Sequence, residues 1–504
     1  MKSEAKYHYS LTLLFFVVSY IGIYHHELWL DEAQHWLLAR DSVSLTDLVE
    51  NTRLDGHPIL WNILLYCITR FTLNPLWMQV LHISISTTVV YLFLRKAPFP
   101  LIFKMLFIFG YFMIFEYNLI SRNYGLGVLF LFLACSVFKE RKEKFALLSV
   151  YLALAANVHL MFSAVAFAFF LTLLFENFNE KRLMEKQFLM GYFIFGMGLL
   201  LLIFQLLPSN PTWFFSTIKD IPLSEKIIPG FISLFKGLIA IPDFTTIHFW
   251  NSNLFVNLSK PLSGIIGLML YILPCLLFKK KNSLFFVYSA FLGIEFFFFV
   301  TQRNAMRFDG INYIIIIITL WIEYYFKEND YLVFLKSKNL TFLKTPIIYS
   351  ILVIQLFSGI YAYAMDFKYP FTASKEVANY LESKKLNKNT IVSVSCDATA
   401  ISPYLRKKIW FLCTDSDQSY CQWELICSNN ISHEYLVDML TNYLDKKDYA
   451  IYVSNYSIND KKSNNWISIN NKFKVRFLKK FDTGIIRNGQ YYVYEIAKIN
   501  FNAQ

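Results

Sequence analysis

The sequence predicts an all-α polytopic membrane domain followed by a soluble α/β domain. Of its 504 residues, 56% are hydrophobic and only 17% are charged, whereas soluble domains carry about a quarter charged residues. The apolar excess lies in runs long enough to cross a bilayer as helices, and these runs stop near residue 363. We therefore predict a membrane domain over residues 1–365 and a water-soluble domain over residues 366–504.

Basic clusters in the short loops between apolar runs set the predicted topology. The strongest clusters lie at 139–144, 181–186, 279–281 and 327–344. Cytoplasmic loops of membrane proteins carry such an excess of Lys and Arg, so the net charge of +12 does not predict a nucleic-acid partner. Placing all four clusters in the cytoplasm predicts about eleven spans, with the N-terminus inside and the C-terminal domain outside.

The front half of the chain decides the number of spans. Residues 8–24 are predicted to be the first span rather than a signal peptide, because no small-residue cleavage site follows them. Residues 59–73 are predicted to lie along the outer interface, and 76–94 to cross the membrane. Two outer segments result, a first loop over 25–58 and a long loop over 208–261.

The first outer loop contains two predicted amphipathic helices. The first covers residues 31–40, with Ala33, Trp36, Leu37 and Leu38 toward the membrane. The second begins at Ser44, with Asp47 as its capping partner. Asp31 and Glu32 open the first helix just beyond the membrane edge. Asp31 is either a helix N-cap or a carboxylate with a chemical role.

Histidines and arginines share the predicted outer side with this carboxylate pair. Arg303 and Arg307 are four residues apart, so we expect them on one helical face. Arginines neutralise phosphate leaving groups, and a carboxylate deprotonates an incoming hydroxyl. A lone arginine at a helix end is more often a snorkelling anchor, but the combination predicts transfer of a group from a lipid-linked phosphate. The remaining candidates on this side are His57, Arg122 and His159.

At these residues the sequence resembles the membrane-embedded GT-C glycosyltransferases, closest to the family 39-like protein O-mannosyltransferase and aminoarabinose transferase branch. The segments LWLDEAQHWLLARDS and RLDGHPILW resemble the first outer loop of that family, including its Asp-Glu pair. At 56–59 the chain has Gly-His-Pro-Ile, which lacks the second proline of the family's His-Pro-Pro or Lys-Pro-Pro segment. The arginine turn at 121–124 and the histidine turn at 157–159 also resemble the family.

The resemblance implies a GT-C fold and transfer of a sugar, with inversion, from a polyprenyl-phosphate-sugar donor to an acceptor hydroxyl at the outer face. Asp31 would activate the acceptor hydroxyl, and Glu32 would support it or bind the acceptor. The acceptor class stays open among glycan, lipid and protein, and His57 in place of the family lysine leaves the donor open. The donor phosphate candidates are His57, Arg122, Arg303 and Arg307, and the other substrate-binding candidates are Arg53, Tyr124 and His159.

Two further questions stay open in the sequence. Some GT-C enzymes need a divalent cation, and His25, His26 and His35 lie near Asp31, but their spacing forms no tight ligand set, so no metal site is predicted. The alternative functions are a transporter or flippase of a lipid-linked sugar, and a receptor-like protein. A transporter would show broken helices in two related halves, whereas this chain has no internal repeat and its charges gather at one face.

Alternating strands and helices predict a small layered domain after residue 366. The tail carries Cys396, Cys413, Cys421 and Cys427, which allow three disulfide pairings in an outer location. The domain either binds an acceptor glycan or covers the active site. The composition, rich in Lys, Asn, Ile and Phe, indicates an AT-rich bacterial genome and therefore the bacterial inner membrane. The predicted helices cover 374–385 and 434–444, and the predicted strands cover 390–395, 408–412, 449–453, 475–477 and 491–496.

Overall fold

The computed structural model describes residues 2–53, 55–207, 222–327, 341–394, 396–423, 431–459, 464–487 and 489–500. The chain divides into two compact units. The first, here the helical unit, contains Met1–Tyr24, Gly56–Trp61 and Gln79–Met365. The second, here the loop–tail unit, contains His25–Asp55, Asn62–Met78 and Asp366–Gln504. The first outer loop therefore belongs to the same compact unit as the C-terminal domain.

Helices make up the described part of the chain as far as residue 368, apart from turns and loops. A π-helical turn, Phe112–Glu116, follows the helix Leu101–Ile108. In chain order the helices are α1 (Lys2–His25), α2 (Leu30–Asp41), α3 (Leu45–Arg53), α4 (Leu60–Thr69), α5 (Leu76–Lys96), α6 (Leu101–Ile108), α7 (Tyr124–Val137), α8 (Phe145–Ala156), α9 (Leu160–Asn179), α10 (Lys186–Leu206), α11 (Leu223–Leu238), α12 (Leu254–Leu258), α13 (Lys260–Met269), α14 (Leu273–Leu277), α15 (Lys281–Thr301), α16 (Met306–Glu323) and α17 (Thr341–Lys368).

Among the described residues, seven helices are long and apolar enough to cross a membrane. They confirm that the chain is a membrane protein. Several predicted spans coincide with shorter helices, such as α7 and α8, so the count of eleven stays a prediction. Helix α4 has ten residues, about 15 Å, and is too short to cross a hydrocarbon core of about 30 Å, in keeping with its predicted place along the interface.

The predicted long outer loop over 208–261 contains two helices that were not predicted from the sequence, α11 and the short α12. Helix α11 includes Pro229 and packs against α13, α15 and α16. Its Lys236 forms a buried ion pair with Asp309 of α16 at 2.6 Å. An apolar stripe and this ion pair fix the segment against the bundle, and residues 208–221 of the same loop lie outside the described residues.

The C-terminal part of the loop–tail unit is built around one seven-stranded sheet of order β3-β2-β1-β4-β7-β6-β5. Strand β1 pairs in parallel with β2 and β4, and the other pairings are antiparallel. The elements are α18 (Ser374–Ser383), β1 (Ile391–Ser393), α19 (Ser402–Leu405), β2 (Ile409–Phe411), β3 (Ser416–Gln418), α20 (His433–Lys446), β4 (Tyr449–Ser454), β5 (Ile467–Ser468), β6 (Phe473–Phe481) and β7 (Tyr491–Lys498).

Alternate residues of the central strands fill two separate cores. Val392 and Tyr452 pack with helix α20, whereas Ile391 and Ile451 pack with helix α18. Because neighbouring strand residues point to opposite faces, helices cover both faces of the sheet. The predicted helices and strands of the tail are confirmed, and the short strands β3 and β5 were not predicted.

Candidate functional site

Helix α2 carries the predicted carboxylate pair at its N-terminal end. Trp29 is the N-cap residue, and the Glu32 carboxylate accepts a hydrogen bond from the Trp29 amide at 3.1 Å. Glu32 thereby acts as the returning acid of a capping box. Asp31 occupies the second position of the helix and is half-buried. The interpretation of Asp31 as the N-cap is therefore wrong, since the capping bond belongs to Glu32.

Glu32 is also one of two buried carboxylates that hold His26 between them. His26 Nε2 lies 3.2 Å from Glu32 Oε2, and His26 Nδ1 lies 2.9 Å from Asp366 Oδ2. Burial disfavours the charged ring, but the attraction of Asp366 and Glu32 outweighs it and raises the pKa of His26 to about 10. His26 is therefore an imidazolium at neutral pH, and it ties the start of α2 to the end of α17.

We expect His26→Gln to lower the melting temperature most at neutral and acid pH. A histidine with a raised pKa contributes stability that is complete below its unfolded pKa, about 6.5, and is lost as the pH rises toward its folded pKa of about 10. Breaking a buried ion pair costs about 3–5 kcal/mol. The measurement is the melting temperature of the full-length wild-type and variant proteins between about pH 6 and about pH 10.

Comparing the melting temperatures of the wild type and His26→Gln removes the contribution of groups that titrate in both proteins. Burial, with the nearby Glu376 carboxylate, raises the pKa of Glu27 to about 8, but this carboxyl group is present in both proteins. The difference between the two melting temperatures should shrink as the pH rises. A difference that stays constant over the whole range would mean that His26 is not held as a cation.

The rest of α2 is enclosed by protein. Every side chain from Glu32 to Ala39 is buried, and the helix packs against α19 and the 3-10 turn at 396–401. The prediction that Ala33, Trp36, Leu37 and Leu38 face the membrane is therefore wrong. The amphipathic pattern could not distinguish a lipid surface from an apolar protein surface.

Two hydrogen bonds from Gln34, in the middle of α2, hold a disulfide-bonded segment of the tail. The Gln34 amide accepts a hydrogen bond from the Cys421 backbone N–H at 2.7 Å and donates one to the Cys421 carbonyl at 3.0 Å. Cys421 is bonded to Cys396, and Cys413 is also in disulfide linkage, while Cys427 lies outside the described residues. The helix that carries Asp31 is thus held at its start by His26 and at its middle by Gln34.

The second helix of the loop begins as the sequence predicts. The Asp47 amide donates to Ser44 Oγ at 3.1 Å, and the Asp47 carboxylate accepts from the Val43 amide at 2.8 Å. This reciprocal cap confirms the predicted start at Ser44. Arg53 lies in the last turn of this helix, α3, and is half-buried. Asp31, Glu32 and Arg53 therefore all belong to the loop–tail unit.

The three histidines nearest Asp31 in sequence do not converge on one point. Both ring nitrogens of His26 face carboxylates. His35 Nδ1 lies 2.8 Å from Asn62 Oδ1, and the His25 ring packs on Phe367 with centroids 4.0 Å apart. Because each ring has a different set of neighbours, His25, His26 and His35 do not fit a shared divalent cation.

Four of the predicted residues meet in the helical unit, and we call them the arginine–histidine cluster: His57, Arg122, Tyr124 and His159. The Arg122 Nη2 atom lies 3.5 Å from His57 Nε2, and its guanidinium lies 5.9 Å from the centre of the Tyr124 ring. The His57 and His159 rings are 4.9 Å apart, and those of Tyr124 and His159 are 5.2 Å apart. Arg122, Tyr124 and His159 are buried, and His57 is half-buried.

Backbone geometry at two turns brings three members of this cluster together. Arg122 precedes α7, whose first residue is Tyr124. His159 is the N-cap of α9, and its Nδ1 accepts a hydrogen bond from the Met161 amide at 3.1 Å. Asn123 joins the two turns, because its side-chain amide donates to the Val158 carbonyl at 2.9 Å. The arginine and histidine turns, far apart in sequence, are thereby fixed side by side.

Arg307 lies next to the cluster, but Arg303 does not join it. The Tyr117 hydroxyl donates to the Arg307 carbonyl at 2.7 Å, and Phe308 packs against both Tyr124 and His159. The expectation that Arg303 and Arg307 share a helical face is wrong, because α15 ends at Thr301 and α16 begins at Met306. The side chain of Arg303 is exposed.

The first turn of α16, which carries Arg307, lies close against the side chains of Phe112 and Tyr117. A Cβ atom at Gly310 would lie 2.3 Å from Phe112 and 2.5 Å from the Tyr117 hydroxyl, so only glycine fits there. The Arg307 guanidinium also attracts the carboxylates of Glu116 and Asp309. Carboxylates near Arg307 would repel a phosphate, so Arg122, which faces His57, is the stronger candidate for binding a substrate anion.

The sequence alone did not reveal the partners that hold His26 and Glu116. Asp366 lies 340 residues from His26, and Trp250, which donates to Glu116 at 3.1 Å, lies in the predicted long loop. Neither pairing leaves a local pattern, although Asp366 could have been noticed as a carboxylate that ends an apolar helix. Comparison with protein-family models, with curated proteins and with solved structures finds no match for this chain.

Proposed function

We propose that this protein is a polyprenyl-phosphate-sugar-dependent glycosyltransferase of the membrane. It would move the sugar, with inversion, to an acceptor hydroxyl at the outer face of the bacterial inner membrane. Its partners would be a lipid-linked sugar donor, membrane lipids and an acceptor that is a glycan, a lipid or a protein. The proposal includes no metal step.

The observation that carries this proposal is the arginine–histidine cluster. A guanidinium beside an imidazole ring can bind a phosphate through charge-assisted hydrogen bonds. The 3.5 Å approach of Arg122 to His57 supplies two donors for phosphate oxygens when the ring is protonated or holds its proton on Nε2. Tyr124 and His159 add a hydroxyl and a ring nitrogen beside them.

The proposed reaction needs one base and one anion-stabilising group. The acceptor oxygen attacks the anomeric carbon while the bond from that carbon to the phosphate oxygen breaks. Asp31 takes the proton of the acceptor hydroxyl, and Arg122 with His57 stabilises the charge that gathers on the departing polyprenyl phosphate. Glu32 stays on the Trp29 amide and His26, so its role is to position Asp31.

The proposal requires Asp31 and Arg122 to face the same side of the membrane. With the basic loops in the cytoplasm, the charge bias directs the first loop and the tail outward. The disulfide between Cys396 and Cys421 supports this orientation, because disulfides persist in oxidising compartments. A bacterial periplasm is such a compartment.

A flippase of the same lipid-linked sugar is the alternative. Charges within the membrane helices would favour it, and the buried Lys236–Asp309 pair is one such feature. Asp309, however, lies in the first turn of α16, at the end of that helix, whereas transporter sites lie near the bilayer midplane. The transferase is therefore the better-supported function.

The decisive experiment measures both the bound lipid and its fate. We expect mass spectrometry of lipid co-purified with the full-length protein to detect a polyprenyl-phosphate sugar. After incubation with an extract of the native cell envelope, this lipid should be converted to free polyprenyl phosphate. A flippase would bind the same lipid and leave it intact, and absence of any phosphorylated polyprenol would contradict both functions.

A further inference from the structure

An open polar cavity lies at the C-terminal end of α2, within the loop–tail unit. Its volume is about 400 Å³, within the range of small-ligand pockets, about 300–1,000 Å³. Asp41 of α2 contributes to one wall, and the β2–β3 hairpin and the residues after it contribute the rest. The lining includes Asp41, Lys408, Asp417, Gln418, Tyr420 and Gln422.

The polar groups of this cavity are held in defined orientations. Arg40 binds the Asp41 carboxylate through two hydrogen bonds of 2.7 and 2.9 Å, and the Ser419 hydroxyl donates to the same carboxylate. The Gln418 amide donates to Ser416 Oγ at 3.1 Å and to Gln422 Oε1 at 3.3 Å. Within the described part of the chain, Gln418 Oε1 accepts no hydrogen bond. Gln418 Oε1 is itself buried, so the groups that line the open part of the cavity are the Asp41 and Asp417 carboxylates, Tyr420 and Gln422.

The charges around the cavity balance. Asp41 is neutralised by its ion pair with Arg40, and the Asp417 carboxylate is offset by the Lys408 ammonium group, so the cavity offers no net positive charge to attract a phosphate or a carboxylate. Burial, followed by the nearby Asp47 and Asp41 carboxylates, raises the pKa of Tyr420, so its hydroxyl keeps its proton and can donate. Carboxylate, amide and hydroxyl groups beside an aromatic ring are suited to a ligand with many hydroxyl groups.

We propose that this cavity binds a neutral carbohydrate chain. Asp41 and Asp31 lie on the same helix, ten residues apart, which corresponds to about 15 Å along the axis. An oligosaccharide spans this distance and a monosaccharide does not. The role of the bound chain rests on the proposed transferase function. In that function the cavity anchors the acceptor glycan at a distance from the hydroxyl that Asp31 activates.

The test is equilibrium binding to the full-length protein in detergent, without any lipid-linked donor. The probes are the neutral trisaccharides chitotriose, cellotriose, maltotriose and mannotriose, and inorganic phosphate is tested as a separate probe. Binding of each probe is measured by ligand-observed NMR titration. We expect at least one neutral trisaccharide to bind and phosphate not to bind. Tyr420→Phe and Asp417→Asn should each weaken saccharide binding about 3- to 10-fold, the effect of one hydrogen bond.

A matched control lies two residues from Asp417. Asp415 is exposed and pairs with Lys446 outside the cavity, so Asp415→Asn should leave the affinity unchanged. Binding should also persist in Asp31→Asn, so a failed transferase assignment would not remove it. If no neutral trisaccharide binds, or if Tyr420→Phe and Asp415→Asn behave alike, the cavity is not a carbohydrate site. Saturable phosphate binding would likewise overturn the proposal.

Discussion

Asp31→Asn is expected to lower the rate of sugar transfer by about 10²-fold or more, the usual contribution of a general base. The substitution keeps the size of the side chain and removes its basicity. The capping bond of α2 comes from Glu32, so the helix should still begin at Leu30 and the melting temperature should change little. The measurement is the initial rate of polyprenyl phosphate release at saturating donor and acceptor, together with the melting temperature.

Two variants of the same unit separate catalysis from folding. Glu50 is an exposed carboxylate on α3, and Glu50→Gln should keep both the rate and the stability. Glu32→Gln should lower the melting temperature, because it leaves the buried His26 cation with one carboxylate instead of two. Full activity in Asp31→Asn would rule out Asp31 as the base. An equal loss of stability in Asp31→Asn and Glu32→Gln would assign Asp31 a structural role only.

Local sequence patterns predicted those elements whose ends are set by nearby residues. The cap formed by Ser44 and Asp47 fixes the start of α3 within three residues, so it could be predicted without any tertiary information. Helix α2 was predicted over 31–40 and extends over Leu30–Asp41. Strands of the tail were equally accessible, because alternating or continuous apolar residues fill the two cores on either side of the sheet.

Features that depend on distant partners were beyond sequence reasoning. The burial of Glu32 becomes explicable only with Asp366 on the other side of His26. The break between Thr301 and Met306, which separates Arg303 from Arg307, carries no proline or glycine at 302–305. Helix α11 was predicted as part of a long loop, yet contacts with three neighbouring helices stabilise it despite the proline at 229.

Arg122→Ala is expected to raise the KM for the lipid-linked donor about 10- to 100-fold, the value of one or two charge-assisted hydrogen bonds. The KM for the acceptor should stay close to that of the wild type, because the arginine–histidine cluster is proposed to contact only the phosphate. Arg122→Lys should recover part of the loss, since it keeps the charge without the forked donors. The amount of co-purified lipid-linked sugar should fall in the same order.

The control for this series is an arginine with an aromatic contact but no proposed substrate. Arg95 is exposed and lies 5.9 Å from the centre of the Tyr91 ring, a distance equal to that between Arg122 and Tyr124. Arg95→Ala should change neither KM. If Arg122→Ala lowers the melting temperature and leaves the donor KM unchanged, Arg122 serves only to pack α7 against its neighbours. The phosphate site would then have to be sought elsewhere, because the Glu116 and Asp309 carboxylates near Arg307 would repel a phosphate.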